Sequence, residues 1–339
     1  MNKLTKVGLT ALCGSLVSVT AANAGAISVA GGAGVTWTTE EATVDGNPIG
    51  MKSNLTFSGS GEMDNGNTWS MALYNGDAQT LTSSNIKMDM GSLGSIEADF
   101  GAGGVGLDAL DDKMPNAYEE PWDSGAGAGF STVSGVHGSG TLQYTLPVDL
   151  LGAGSSIKVA YSPQVDGGGL QADKGNSGIV SGKGSGTDIV ITMAPAEGLS
   201  VFAGYSSVDG TVGDKAEDTN SHAYGFTYAA GGVTVGAQAS RAYHVEKASA
   251  TGTNYYDNVA YAVSFAVNDN LTLSYGSHDS ERTFGGANTA AVEMETASMQ
   301  ISYNMGGATL AIAHTEVDNS TYSAGTSRDA NVIALNLVF

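Results

Sequence analysis

Six carboxylates crowd one stretch of the sequence: Asp108, Asp111, Asp112, Glu119, Glu120 and Asp123. A run of this kind can present charge to passing cations, set up a local field, or attract Ca2+ at acidic loops. No ligand spacing of the EF-hand type picks out a metal site among them. From Gly106 to Met114 the period is helical. Leu107, Leu110 and Met114 share one stripe, and Asp108, Asp111 and Asp112 lie off it. A short helix there would lay its apolar stripe on a wall and turn its acids to water. Lys52, Lys87 and Lys158 are the candidate bases for an opposing wall. Catalysis has little to work with. His278 and Asp279 are adjacent, but neighbours on a strand point to opposite faces. Like His278, His137, His222, His244 and His314 read as loop or lumen residues, and no Gly-x-Ser-x-Gly elbow occurs. No enzyme is expected.

Composition narrows the class. Only 14% of the 339 residues are charged, against about 25% in ordinary soluble domains, while 41% are hydrophobic. That hydrophobic content excludes general disorder. The formal charge of −21 argues against nucleic acid as a partner. A single cysteine, Cys13, excludes a disulfide scaffold. After the N-terminus no run of about 20 apolar residues marks a transmembrane helix.

The first 24 residues read as an export signal. Lys3 and Lys6 precede an apolar run from Val7 to Val19, and Ala22-Asn23-Ala24 has the small-residue pattern of a cleavage site. The remaining chain, 25–339, is expected to form one domain. It carries 11 basic and 34 acidic residues, a net −23.

What must position the charged groups is a set of strands. In Val259 to Val267 the odd positions Val259, Tyr261, Val263, Phe265 and Val267 are all apolar; near the C-terminus so are Ile333, Leu335, Leu337 and Phe339. Alternate side chains face opposite sides of a strand. On this template sixteen strands follow, among them 139–147, 186–193, 271–278 and 329–339. Short turns such as Gly231-Gly232 and Asn268-Asp269-Asn270 alternate with long polar connectors, and the longest connector is 101–138. A soluble sandwich would carry charge on its second face. Here that face holds Ser, Thr, Gly, Gln and Asn, so the apolar face belongs against lipid. A sheet in hydrocarbon has no water for its edges and must close into a barrel. Lys52, Lys87 and Lys158 fall on the polar parity and belong to the lumen, since a lysine facing lipid near the midplane costs about 2–4 kcal/mol. Arg241 has apolar parity, which implies a rim position, a bulge or a register error. Arg282 and Arg328 are placed in external loops. Trp37, Tyr205, Tyr228, Tyr275, Tyr303 and Phe339 form a candidate interfacial girdle.

With these residues in view, the chain resembles the general diffusion porins of Gram-negative bacteria, most closely the Rhodobacter-type porins of alphaproteobacteria. The resemblance rests on the signal ending Ala22-Asn23-Ala24, the first strand starting Gly25-Ala26-Ile27, the long third loop after Phe100, and the terminal Leu337-Val338-Phe339. It implies an all-β, sixteen-stranded antiparallel transmembrane barrel whose third loop, 101–138, folds inward and narrows the pore. It further implies a homotrimer in the outer membrane among lipid and lipopolysaccharide, with Phe339 resembling the signal read by the barrel-assembly machinery. Passive diffusion of ions and small hydrophilic solutes is the expected function, with a preference for cations from the acidic balance and no cofactor beyond structural Ca2+. Two alternatives stand beside it. One is a substrate-selective channel, although the inward parity shows few aromatics, chiefly Tyr74 and Phe202. The other is a secreted acidic β-rich calcium-binding or adhesin protein.

Overall fold

A computed structural model describes residues 27–40, 46–76, 80–138, 140–147, 150–165, 183–210, 218–243, 253–284 and 290–339. The expected signal segment lies outside the described residues, as does His244. Sixteen strands form one closed antiparallel barrel. They are β1 (Ile27–Glu40), β2 (Ile49–Glu62), β3 (Thr68–Asn75), β4 (Leu81–Asp89), β5 (Ser95–Phe100), β6 (Thr141–Thr145), β7 (Ser156–Ser162) and β8 (Lys183–Ala196). The second half comprises β9 (Leu199–Gly210), β10 (Thr219–Ala230), β11 (Val233–Tyr243), β12 (Thr253–Ala266), β13 (Leu271–Phe284), β14 (Val292–Asn304), β15 (Ala308–Asp318) and β16 (Arg328–Val338). Each strand pairs with its neighbour in sequence, and β1 closes on β16 from Gly32↔Val338 to Glu40↔Ala330. Beyond that ladder, Gly31 and Phe339 exchange two backbone hydrogen bonds at 3.0 Å.

Burial is inverted relative to a soluble sheet. On β12 the outward Val259, Tyr261, Val263 and Phe265 are exposed, whereas the inward Asn258, Ala260 and Ala262 are buried. The same parity repeats on β14, where Met299, Ile301 and Tyr303 are exposed and Ser298 and Gln300 buried. An apolar face this extensive is a surface for hydrocarbon. Trp37, Tyr205, Tyr228, Tyr275, Tyr303 and Phe339 all point outward from it and are exposed.

Strand extents differ from expectation where the outward face turns polar. β13 runs on to Phe284 through outward Asp279 and Glu281, because the ladder to β14 continues up to Arg282↔Val292. Arg282 and Arg328 are therefore strand residues with inward parity rather than members of external loops. Arg241 is a rim residue: Nε and Nη2 donate to the Asp257 carboxylate at 2.5 and 2.7 Å, and its guanidinium lies 4.1 Å from the Tyr255 ring centroid. This fork and stack satisfy a cation that has no place on an apolar band. His222 and His314 also face outward, opposite Arg241 and Asn331, and not into the lumen.

Candidate functional site

The connector between β5 and β6 turns into the barrel and lies against its wall. Its start is set by Asp99, a fully buried carboxylate that accepts the N–H groups of Gly101 and Ala102 at 3.0 and 3.2 Å. A 3-10 turn follows at Gly106–Leu110, shorter than the expected helix to Met114. Residues three apart eclipse in a 3-10 turn, so Leu107 and Leu110 fall on one side. With Met114 and Val133 they fill a core against Val190, Phe202, Ala223, Ala242, Ala260 and Ala262, the inward residues of β8 to β12. Leu107 and Leu110 are both 0% exposed. Burying each is worth about 1.5–3 kcal/mol.

Polar wall residues hold the connector by its backbone. Asp188 of β8 is buried and takes both limbs. Its Oδ2 accepts the Leu107 N–H at 2.7 Å and the Val136 N–H at 3.0 Å. Gly106 and Gly135 flank these donors with φ of +56° and +57°, and a Cβ on either would fall 2.3 or 2.1 Å from Asp188 Oδ2. Only glycine permits that approach. Gln143 accepts the Gly106 N–H at 2.9 Å, and Gln238 donates to the Leu110 carbonyl at 2.7 Å. Further along, Ser274 and Gln300 accept the N–H groups of Ala117 and Tyr118 at 2.9 and 2.8 Å. His278 is covered by the connector's aromatics, its ring 4.2 Å from Trp122 and 5.8 Å from Phe130.

The carboxylates occupy distinct settings. Asp108 is half-buried; it accepts the Gly104 N–H at 2.8 Å and stands 4.0 Å from His137 Nδ1. Asp111 is half-buried beside it, Asp112 and Asp123 are exposed, and Glu120 accepts from Asn116 Nδ2 at 3.2 Å. Burial, reinforced by Asp108 and Asp112, pushes the Asp111 carboxyl up to about 7. Burial is also the main cause that raises Asp108, Asp112 and Glu120. His137 is raised chiefly by the Asp99 carboxylate, which its Nδ1 faces at 3.6 Å.

All three wall lysines have inward parity. Lys52 of β2 reaches Glu119 at 3.1 Å, so it bridges to the connector instead of standing free across the lumen. Lys158 of β7 donates to the Gly104 carbonyl at 3.4 Å and lies within electrostatic reach of Glu97, Lys113 and Lys87. Lys87 is exposed on β4. Among the described residues no three acidic, histidine or cysteine side chains converge as a metal site. What the geometry offers is a charged interior, with the connector's carboxylates on one side and the exposed, inward Lys52 and Lys87 of β2 and β4 on the other.

A model of the Gram-negative porin family matches residues 8–336, nearly the whole chain. The chain belongs to that family. Solved structures agree on the architecture. An anion-selective porin from Comamonas acidovorans is 12% identical, with 93% of this chain and 99% of that one aligned and a TM-score of 0.63. The trimer form of OmpT from Vibrio cholerae is 13% identical over 93% of this chain and 100% of its own, with a TM-score of 0.65. A variant of the Rh. blastica porin is 14% identical over 93% and 100%, with a TM-score of 0.58. These likenesses carry the fold and do not single out the alphaproteobacterial branch. Comparison with curated proteins finds no match.

Several residues that shape this porin's interior escape a sequence reading: Asp188, Gln143, Gln238 and Gln300. Their one visible mark is length. They are long or charged side chains on a parity given largely to small residues.

Proposed function

We propose that this porin forms a water-filled, cation-preferring passage across the outer membrane for ions and small hydrophilic solutes. The observation that supports the preference is the inward connector. It brings Asp108, Asp111, Asp112, Glu119, Glu120 and Asp123 inside the barrel, where three wall lysines, Lys113 and His137 face them. Charge lining a narrow aqueous gap biases which ions enter. The fold does not set the sign, since the Comamonas protein of the same architecture is anion-selective. A homotrimer among outer-membrane lipid and lipopolysaccharide, inserted by the barrel-assembly machinery through Phe339 after removal of residues 1–24, completes the reading; the trimer form of OmpT supports the first part. Reversal potentials across a KCl gradient in planar bilayers test the preference, and a clear anion preference would overturn it. The variant Asp108→Asn/Asp111→Asn/Asp112→Asn should shift the reversal potential toward zero.

Two further results are expected. Lys52→Met removes the base that meets Glu119. Cation preference should rise, while thermal stability in detergent should change by less than about 1 kcal/mol, the usual worth of an exposed ion pair. The preference should also depend on pH. Asp111 gains its proton as pH falls through about 7, so the first loss of cation preference should centre there. Asp108, Asp112 and Glu120 then extend the loss at lower pH. The sign for stability is opposite. The folded chain holds the Asp111 proton more tightly than an unfolded one, so this contribution is full below the ordinary 3.8 and is lost as pH rises to about 7. Reversal potentials and melting curves at a series of pH values check both signs.

A further inference from the structure

The connector between β15 and β16, residues 319–327, also turns inward. It reads as an ordinary polar loop, yet three of its non-glycine residues sit in the left-handed region: Asn319 at φ 53°, Thr321 at 55° and Tyr322 at 56°. For a β-branched threonine this is a strained backbone, held only where the surroundings over-determine it. The surroundings here are the far limb of the β5–β6 connector. Thr321 N–H donates to the Ala128 carbonyl at 2.8 Å, and Ser320 Oγ donates to the Gly127 carbonyl at 3.1 Å. At its base, Asn319 donates from Nδ2 to the Glu293 carbonyl at 2.7 Å and accepts the Gly325 N–H at 2.8 Å.

Tyr322 closes the arrangement. It is buried with Ala126, Ala128 and Met294, and its ring lies 4.8 Å from that of Tyr256. Its hydroxyl accepts the Ser131 N–H at 3.2 Å and meets Ser280 Oγ at 2.7 Å. Ser280 Oγ donates to Asn258 Oδ1 at 2.6 Å, and Asn258 Nδ2 donates to the Ser131 carbonyl at 3.1 Å. The ring of bonds therefore has one direction. Because Ser280 spends its proton on Asn258, the phenol must be the donor to Ser280. Burial, which pushes this phenol up to about 12, keeps that proton in place. Each member polarises the next, and both backbone groups of Ser131 are engaged.

We infer that Tyr322 is a positioning residue for the passage: the β15–β16 connector is a strap that holds the far limb of the inward connector and so fixes the gap beside it. The inference rests on the channel reading above. Without the strap's hydroxyl the limb is free to leave the wall, and the strained backbone of 319–322 relaxes outward.

A cross-link tests this. A Cβ on Gly129 would lie 3.6 Å from Thr321 Cβ, within the range a disulfide spans. The only native cysteine, Cys13, precedes the described residues. Gly129→Cys/Thr321→Cys should oxidise readily in the assembled protein and leave single-channel conductance close to that of the parent. Tyr322→Phe keeps the ring and removes both hydrogen bonds of the hydroxyl, so the detached population should rise on the order of ten- to a hundred-fold. That rise should appear as excess open-channel current noise and, in the Tyr322→Phe/Gly129→Cys/Thr321→Cys background, as faster thiol labelling of the reduced protein. Oxidation should quiet the noise, and reductant should restore it. Gly129 sits at φ +70°, where a Cβ is strained, so the single variant Gly129→Cys is the control: thiols that fail to pair when that single variant conducts like the parent would overturn the strap. A bond that forms while Tyr322→Phe conducts as quietly as the parent would overturn the positioning role. Absence of current from the unmutated protein would instead overturn the channel reading on which the role rests.

Discussion

Asp188→Ala should detach the inward connector at its root and widen the passage. Single-channel conductance should increase, and larger neutral sugars should enter liposomes faster. The reason lies in what the carboxylate does for two limbs at once. It is the acceptor for Leu107 N–H and Val136 N–H, donors separated by the whole loop. Removing it leaves both buried without a partner, at about 1–3 kcal/mol each. Asp188→Asn keeps one acceptor oxygen and should retain most of the native conductance. Asp188→Glu should not rescue, because Gly106 and Gly135 already approach Oδ2 as closely as backbone allows. If Asp188→Ala conducts and swells liposomes like the parent, the carboxylate does not hold the loop.

The second large effect is expected from the connector's apolar seat. Leu107→Ala or Leu110→Ala deletes a fully buried side chain from the cluster on β8 to β12. Substitutions of this kind cost about 2–5 kcal/mol through lost transfer energy and the cavity left behind. The barrel ladder does not depend on these residues, so the loss should fall on the loop. Conductance should become larger and less uniform, while far-ultraviolet dichroism stays that of a barrel. Leu335→Ala, on the lipid-facing side of β16, serves as the contrast and should leave conductance unchanged. Equal behaviour of the two leucine classes would contradict the assignment of faces.

The barrel was legible because alternation is a local signal. Val259 to Val267 and Ile333 to Phe339 announce their faces without any partner. The signal weakens at the long-loop rim, where outward positions become Asp279 and Glu281 but pairing to β14 persists. That is why β13 reaches Phe284 and carries Arg282; Arg328 stands one residue before the strand start that alternation marks, at the Val317 end of the β15–β16 ladder. The seat of the inward connector could be seen for the same local reason, as Leu107, Leu110 and Met114 form a stripe within a few residues. Its anchors could not. Asp188, Gln238 and Gln300 act on backbone groups some 50 to 180 residues away, and no spacing in one strand reveals a partner that distant. The strap at 319–327 was hidden more completely, since its polar sequence is that of any solvated turn and its meaning comes from Ser131 and Ser280.

The inward connector takes its apolar seat on β8 to β12 and β14 to β16, is tied to β5, β6 and β7 through Asp99, Gln143 and Lys158, and meets β2 through Lys52. The covered wall is foundation, and a change there propagates into loop placement. The uncovered stretch, with Asn54, Tyr74, Asn85 and Lys87, is the part on which natural variation or engineering can rewrite solute preference while the foundation stays as it is.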